Sequence, residues 1–173
     1  MDVLDVIYGV VNLLDGSEEK KDLVRSHLLN LVQITDTITA TSTSSSVTRN
    51  AKSVVSPIAL LVRLHEMDAK VSLKKAVEAT QMCLSRVDIF NAEVIAVALK
   101  QMVEMPKMPN LLMRTVLQSL RSHPHMLNFV LSLLQKMVKL EVWKQDKVIW
   151  QGFTRCIKVK CSCFDFQLIC NMN

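Results

Sequence analysis

Residues 111–122, Leu111-Leu-Met-Arg-Thr-Val-Leu-Gln-Ser-Leu-Arg-Ser122, decide the fold class. Arg114, Gln118 and Arg121 recur at intervals of four and three, opposite Leu112, Val116, Leu117 and Leu120, so a helical period sets one wet stripe against one apolar face. Punctuation bounds the stretch on both sides. In Met105-Pro106-Lys107-Met108-Pro109 each proline removes a donor and disfavours helix in the residue before it, and Pro124 marks the next turn.

The same period extends in both directions. Downstream, Met126 to Val142 carries a wet stripe of Asn128, Ser132, Gln135 and Lys139, with nearly every other position Leu, Val, Met or Phe; this helix is expected to be contacted on most sides. Upstream, Asn91 caps a helix whose Val94, Ile95, Ala98, Leu99 and Met102 are apolar, leaving only the stripe of Glu93, Lys100 and Glu104 for water. Ser72 opens a helix to Arg86. Ser56-Pro57 starts one over Ile58–Met67, with serine as cap and proline at the first helical position, where its missing donor is harmless.

Nearer the N-terminus, a helix over Asp2–Leu14 closes at Asp15-Gly16, glycine suiting the left-handed residue after a helix. Ser17 caps the next, Glu18 and Glu19 favour its positive dipole end, and Val24, Leu28 and Leu31 continue the period to Ile34. These two form an antiparallel pair over 1–34. From Thr35 to Ser53 serine and threonine dominate, and their hydroxyls compete for backbone hydrogen bonds, which predicts a mobile loop over 35–55.

Composition agrees with helices. Half the residues are apolar (50%), while Gly 3 and Pro 4 supply too little turn chemistry for the hairpins of an all-β fold. The expected class is all-α, with antiparallel helix pairs stacked as a HEAT-like or ARM-like solenoid, although no clean internal repeat is visible. Four segments follow: the pair at 1–34, the loop at 35–55, a helical domain at 56–158 and a tail at 159–173.

No long uncharged apolar run predicts a membrane span, and Asp2 and Asp5 stand where a secretion signal needs positive charge, so the cysteines are expected to stay reduced. Charge is unevenly spread. Residues 1–22 hold six acids against Lys20 and Lys21, whereas residues 100–160 hold eleven Lys or Arg against Glu104, Glu141 and Asp146. Such a field attracts RNA or an acidic protein surface without naming either.

With glycine only at 9, 16 and 152, no phosphate-cradling loop, dinucleotide turn or nucleophile elbow can be written. His123-Pro124-His125 reads as a surface turn rather than a ligand pair. Cys156, Cys161, Cys163 and Cys170 lack the two-residue gap that lets one turn offer two thiolates to zinc, and read as free thiols. No catalytic, cofactor-binding or metal-binding residue is predicted.

The candidates that remain are partner-binding ones. Arg114, Gln118, Arg121, Lys136 and Lys139 form a polar, basic face by periodicity; for each the plainer role is a solvated helix surface. Trp143, Trp150 and Phe153, at intervals of seven and three, share a face if their helix is unbroken. Core packing is the commoner use of such aromatics, anchoring a partner or stacking a base the sharper one, and the latter makes a direct RNA binder the alternative function.

Three stretches carry a resemblance: Glu93-Val-Ile-Ala-Val-Ala-Leu-Lys-Gln-Met-Val-Glu104, Pro109-Asn-Leu-Leu-Met-Arg-Thr-Val-Leu-Gln-Ser-Leu120, and Val142-Trp-Lys144 with Trp150-Gln-Gly-Phe153. Together they resemble the C-terminal region of the symplekin family, over about residues 56–156, with 111–120 closest and 1–55 matching only loosely. The resemblance implies a nuclear, non-enzymatic scaffold of the machinery that cleaves and polyadenylates pre-mRNA and processes histone pre-mRNA ends. Its implied partners are the endonuclease subunit of the cleavage and polyadenylation specificity factor, of metallo-β-lactamase type, and that subunit's inactive paralogue. Cleavage stimulation factor is a further implied partner, with RNA reached indirectly, no membrane and no cofactor. Ile149 stands as an extra residue before Trp150, and after Lys158 the tail departs from the family pattern, so the last helix pair is expected to expose Phe164, Phe166 and Leu168.

Overall fold

The computed structural model describes residues 3–14, 16–39, 55–67 and 71–161. Among the described residues the chain is all-α, with eight α-helices and no strand. They are α1 (Val3–Asn12), α2 (Glu18–Thr39), α3 (Pro57–Glu66), α4 (Leu73–Leu84), α5 (Ala92–Glu104), α6 (Leu112–Ser122), α7 (Leu127–Lys139) and α8 (Lys147–Cys161). Short 3-10 turns stand at Pro124–Met126 and Val142–Lys144.

The predicted caps account for several helix starts. Ser56 Oγ accepts from Ala59 N at 3.1 Å, Ser72 Oγ from Lys75 N at 3.4 Å, and Asn91 Oδ1 from Val94 N at 3.0 Å, each satisfying an otherwise orphaned donor of a first turn. Gly16 takes φ +103 between α1 and α2, in the left-handed region that glycine enters without a Cβ penalty.

The chain forms two compact units, residues 1–101 and 102–173. In the first, α4 is the hub: α1, α2 and α3 all pack on it, and α1 also packs on α2. Ile7, Val11, Val24, Leu28, Leu60, Leu64, Ala76 and Cys83 are buried there, each large aliphatic contributing about 1.5–3 kcal/mol. Two lysines tie the pieces at the surface. Lys75 Nζ donates to the Asn12 carbonyl at 2.7 Å, satisfying a C-terminal acceptor of α1, and Lys21 of α2 pairs with Glu18 at 2.8 Å and with Glu78 of α4 at 3.2 Å.

In the second unit α6 packs against α8, while the Val142–Lys144 turn sits on both α7 and α8 with Val142 fully buried. Met113, Val116, Leu120, Val130, Leu133, Met137, Ile149 and Phe153 are buried in this unit.

Four local expectations change. α2 runs on to Thr39 rather than ending at Ile34, because the helix penalty of threonine, below about 0.7 kcal/mol per residue, is too small to stop an established helix; residues 40–54 of the predicted loop lie outside the described residues. α7 stops at Lys139, since Glu141 turns left-handed (φ 54, ψ 49) and directs the chain away. Nor is α7 enclosed on most sides: Leu131 and Val138 are exposed beside its wet stripe. On α5, Val97 is exposed as well, so water reaches beyond the stripe of Glu93, Lys100 and Glu104. Phe164, Phe166 and Leu168 lie outside the described residues.

Candidate interaction surface

The polar stripe of α6 is where the period places it. Arg114 and Arg121 are exposed and Gln118 is half-buried, while Thr115 and Ser119, between them, are buried. Ser119 Oγ donates to the Val116 carbonyl at 2.9 Å, which lets a hydroxyl enter the core without losing its hydrogen bond.

The basic residues of α7 divide. Lys136 is half-buried and its ammonium is paired with the Glu104 carboxylate at the end of α5, whereas Lys139 is exposed. Lys136 therefore acts first as a tie between helices, and Lys139 is the cation that α7 offers outward. Arg114, Gln118 and Arg121 belong to a different helix, which packs through α8 and the 124–126 turn, whereas α7 packs through the two 3-10 turns.

Trp143, Trp150 and Phe153 do not share a helix face. The helix that would carry them is broken: Trp143 lies in the 142–144 turn, and α8 begins only at Lys147, where Asp146 Oδ1 accepts from Val148 N at 3.0 Å. Phe153 belongs to the core. Trp150 stacks on it with ring centroids 5.6 Å apart and planes 16° apart, and stays 37% exposed. Trp143 is 49% exposed, beside the fully buried Val142.

The corner that presents Trp143 is held by short-range bonds. Glu141 N donates to the Val138 carbonyl at 2.9 Å, Lys144 N to the Glu141 carbonyl at 2.8 Å and Gln145 N to the Val142 carbonyl at 3.1 Å. Lys144 Nζ pairs with Glu141 Oε1 at 2.7 Å. A left-handed glutamate leaves no mark in the sequence, because glycine or asparagine is the usual sign of that conformation. The helical period, which runs on to Val142, therefore gives no sign of the corner, where Val138 and Leu140 are exposed.

His123 departs from the surface turn expected of it. It is 5% exposed, and neither Nδ1 nor Nε2 has a hydrogen-bond partner. Its backbone leaves the helix at φ −132 and ψ 77 while its N–H still donates to Ser119 at 2.7 Å; Pro124 and His125 then return to the surface. The His125 ring meets it edge-on, with centroids 5.8 Å apart. Cys83 and Cys156 are buried thiols, and burial pushes Cys83 up to about 12. Among the described residues no group of three or more His, Cys, Asp or Glu is placed to hold a metal. The side chains of Cys161, Cys163 and Cys170 lie outside the described set.

A cavity of about 350 Å³ opens in the first unit, lined by Leu14, Gly16, Lys21, Ser72, Lys74, Lys75 and Glu78. None of the predicted partner residues lies in it. Lys21 and Lys75 are already engaged by Glu18, Glu78 and the Asn12 carbonyl, so its charge serves the packing of α1, α2 and α4.

Helices that bury one face and offer basic and aromatic side chains on the other define an all-α protein, consistent with a helical-repeat-like fold. The family follows from comparison with known proteins: the family described as symplekin tight junction protein C terminal matches residues 2–173, and the chain belongs to it. The match is wider than the stretch of 56–156 that carries the resemblance, and takes in both the N-terminal helix pair and the tail. No solved structure matches the chain. Among the described residues no helix is long and apolar enough to cross a membrane.

Proposed function

We propose that this chain is a non-catalytic scaffold segment of the nuclear machinery that cleaves and polyadenylates mRNA 3′ ends and processes histone pre-mRNA. Its partners in this reading are the endonuclease subunit of the cleavage and polyadenylation specificity factor and that subunit's inactive paralogue, with cleavage stimulation factor further out. The observation that carries the proposal is membership of the symplekin C-terminal family over residues 2–173. The surface is suited to such work: Arg114, Arg121, Lys139 and Trp143 are exposed on firmly held elements, and protein interfaces favour Arg and Trp at their energetic centres.

The test is reconstitution from purified components. The chain, the endonuclease subunit and the paralogue are co-expressed, treated with ribonuclease and passed over a sizing column. Co-elution after nuclease treatment supports the scaffold reading, and elution of the chain alone rejects it. The exposed Trp143 gives the RNA reading its own observation, since an exposed aromatic in a basic region can stack a base. Binding to single-stranded RNA that falls steeply with salt, without co-elution of the protein partners, establishes that alternative instead.

A further inference from the structure

We propose that the corner between α7 and α8 is a docking site for an acidic protein segment with an apolar anchor. This deepens the scaffold reading by naming the chemistry of what is docked, and rests on that reading for the partner's being a protein.

The apolar part of the site is Val138, Leu140 and Trp143, which are 45%, 43% and 49% exposed within one tight corner. Isolated exposed hydrophobics are ordinary on protein surfaces, whereas three of them within residues 138–143, one a tryptophan, are a grouping that a partner can cover. The exposure is built in. Val142, between Leu140 and Trp143, is fully buried and pins the turn, and Glu141 occupies the left-handed conformation that a side-chain-bearing residue rarely adopts. Such a residue persists only when its surroundings fix it, here through the Lys144 ion pair and the turn's backbone bonds. The backbone that carries the exposed Trp143 is consequently fixed, and little ordering of the turn remains to be done when a partner closes over it.

Charge decides which partner fits. The Glu141 carboxylate is taken by Lys144, and among the described residues no carboxylate pairs with Lys139 or Lys147, which flank the corner on either side. Arg155 and Lys158 extend the positive field along α8. The complement of an apolar centre between uncompensated cations is an apolar anchor between carboxylates. A nucleic-acid strand fits less well. Val138 and Leu140 are aliphatic and offer no ring for a base, so that of the three exposed apolar side chains Trp143 alone can stack one.

The test uses the full chain carrying Trp150→Phe, so that Trp143 is the sole tryptophan reporter. Three probes are titrated: a short helical peptide with Leu and Phe on one stripe and Glu on both flanks, its Lys-flanked counterpart, and a single-stranded oligouridine. The Glu-flanked peptide is expected to bind with a blue shift of Trp143 emission. Trp143→Ala, followed by anisotropy of a labelled peptide, should weaken binding at least about tenfold. Lys139→Glu with Lys147→Glu should weaken it comparably and flatten its salt dependence. Equal binding of the Lys-flanked peptide, preference for oligouridine, or an unchanged emission with the Glu-flanked peptide each overturns the proposal. The reconstitution above separates the two claims: endonuclease partners retained by Trp143→Ala leave the scaffold standing and remove the corner, whereas loss of partners from the unmutated chain removes the scaffold itself.

Discussion

Gly152 of α8 lies so close to Met113 of α6 that a Cβ built on it would stand 2.7 Å from the Met113 Cβ. No rotamer change relieves this contact, because the atom met is the root of the Met113 side chain. Gly152→Ala should therefore destabilise the second unit by about 1–3 kcal/mol, even though alanine is the better helix former. Gly9 of α1 meets nothing within 4 Å, and Gly9→Ala should instead stabilise by about 0.5–1 kcal/mol. Urea denaturation of the two variants checks both, and like signs would contradict the α6–α8 approach.

That contrast marks what was legible in the sequence. Helix positions came through because serine and asparagine caps, proline breaks and a 3.6-residue period act locally: Ser56, Ser72 and Asn91 all cap where expected. Contacts between distant helices carry no such local mark. Gly152 against Met113, Lys136 against Glu104 and the inward turn of His123 each depend on which helix lies opposite. The candidate surface was half legible for the same reason. Arg114 and Arg121 follow from a regular period, whereas the exposure of Trp143 follows from Glu141, whose left-handed backbone its residue type does not announce.

His123 and Thr80 bury polar atoms that lack partners: both ring nitrogens of the one and Oγ1 of the other. An unsatisfied buried group costs about 1–3 kcal/mol, so apolar replacements of similar shape, His123→Leu and Thr80→Val, should each stabilise by about 1 kcal/mol. Thermal or chemical unfolding midpoints measure this. A fall in the midpoint for His123→Leu would show that the imidazole is satisfied in solution, and that it serves the fold as a polar group.

Lys21 draws the Glu18 carboxyl below the ordinary glutamate value, by its hydrogen bond first and its charge second; the same bond, with that to Glu78, raises Lys21. The signs fix two pH windows. Glu18, depressed in the folded chain, contributes stability above its unfolded value and loses it as pH falls through the folded one. Lys21, raised, contributes below its unfolded value and loses it as pH climbs through the folded one. Carbon-detected NMR titration should place the Glu18 midpoint low, and Lys21→Met should raise it toward the ordinary value, with Arg25 left as a minor lowering influence. A midpoint unmoved by Lys21→Met would dissolve the Lys21–Glu18 pair in solution.

Cys83 is buried and its thiol is pushed up to about 12 by desolvation alone. The reactive species is the thiolate, so native Cys83 should resist alkylation at mildly alkaline pH and react only when the first unit opens. Mass spectrometry of iodoacetamide-treated chain, with and without urea, reads this directly. Rapid native labelling of Cys83 would mean that the α3–α4 core opens far more often than its packing implies.

Arg114 and Arg121 stand one above the other on the exposed stripe of α6, whose buried face packs on α8. Reversing both charges leaves that packing untouched, so the circular dichroism of Arg114→Glu with Arg121→Glu should match that of the unmutated chain. Its effect on assembly depends on where the stripe falls in an interface. At a rim the pair steers encounter: the reversal should slow association with the endonuclease subunits about tenfold at low salt, and the deficit should shrink as salt screens it. A centrally buried arginine would instead be lost as faster dissociation at every salt concentration. Surface-plasmon measurements over a salt series separate the two, and rates unchanged throughout would remove α6 from the docking surface and leave the Trp143 corner to account for assembly.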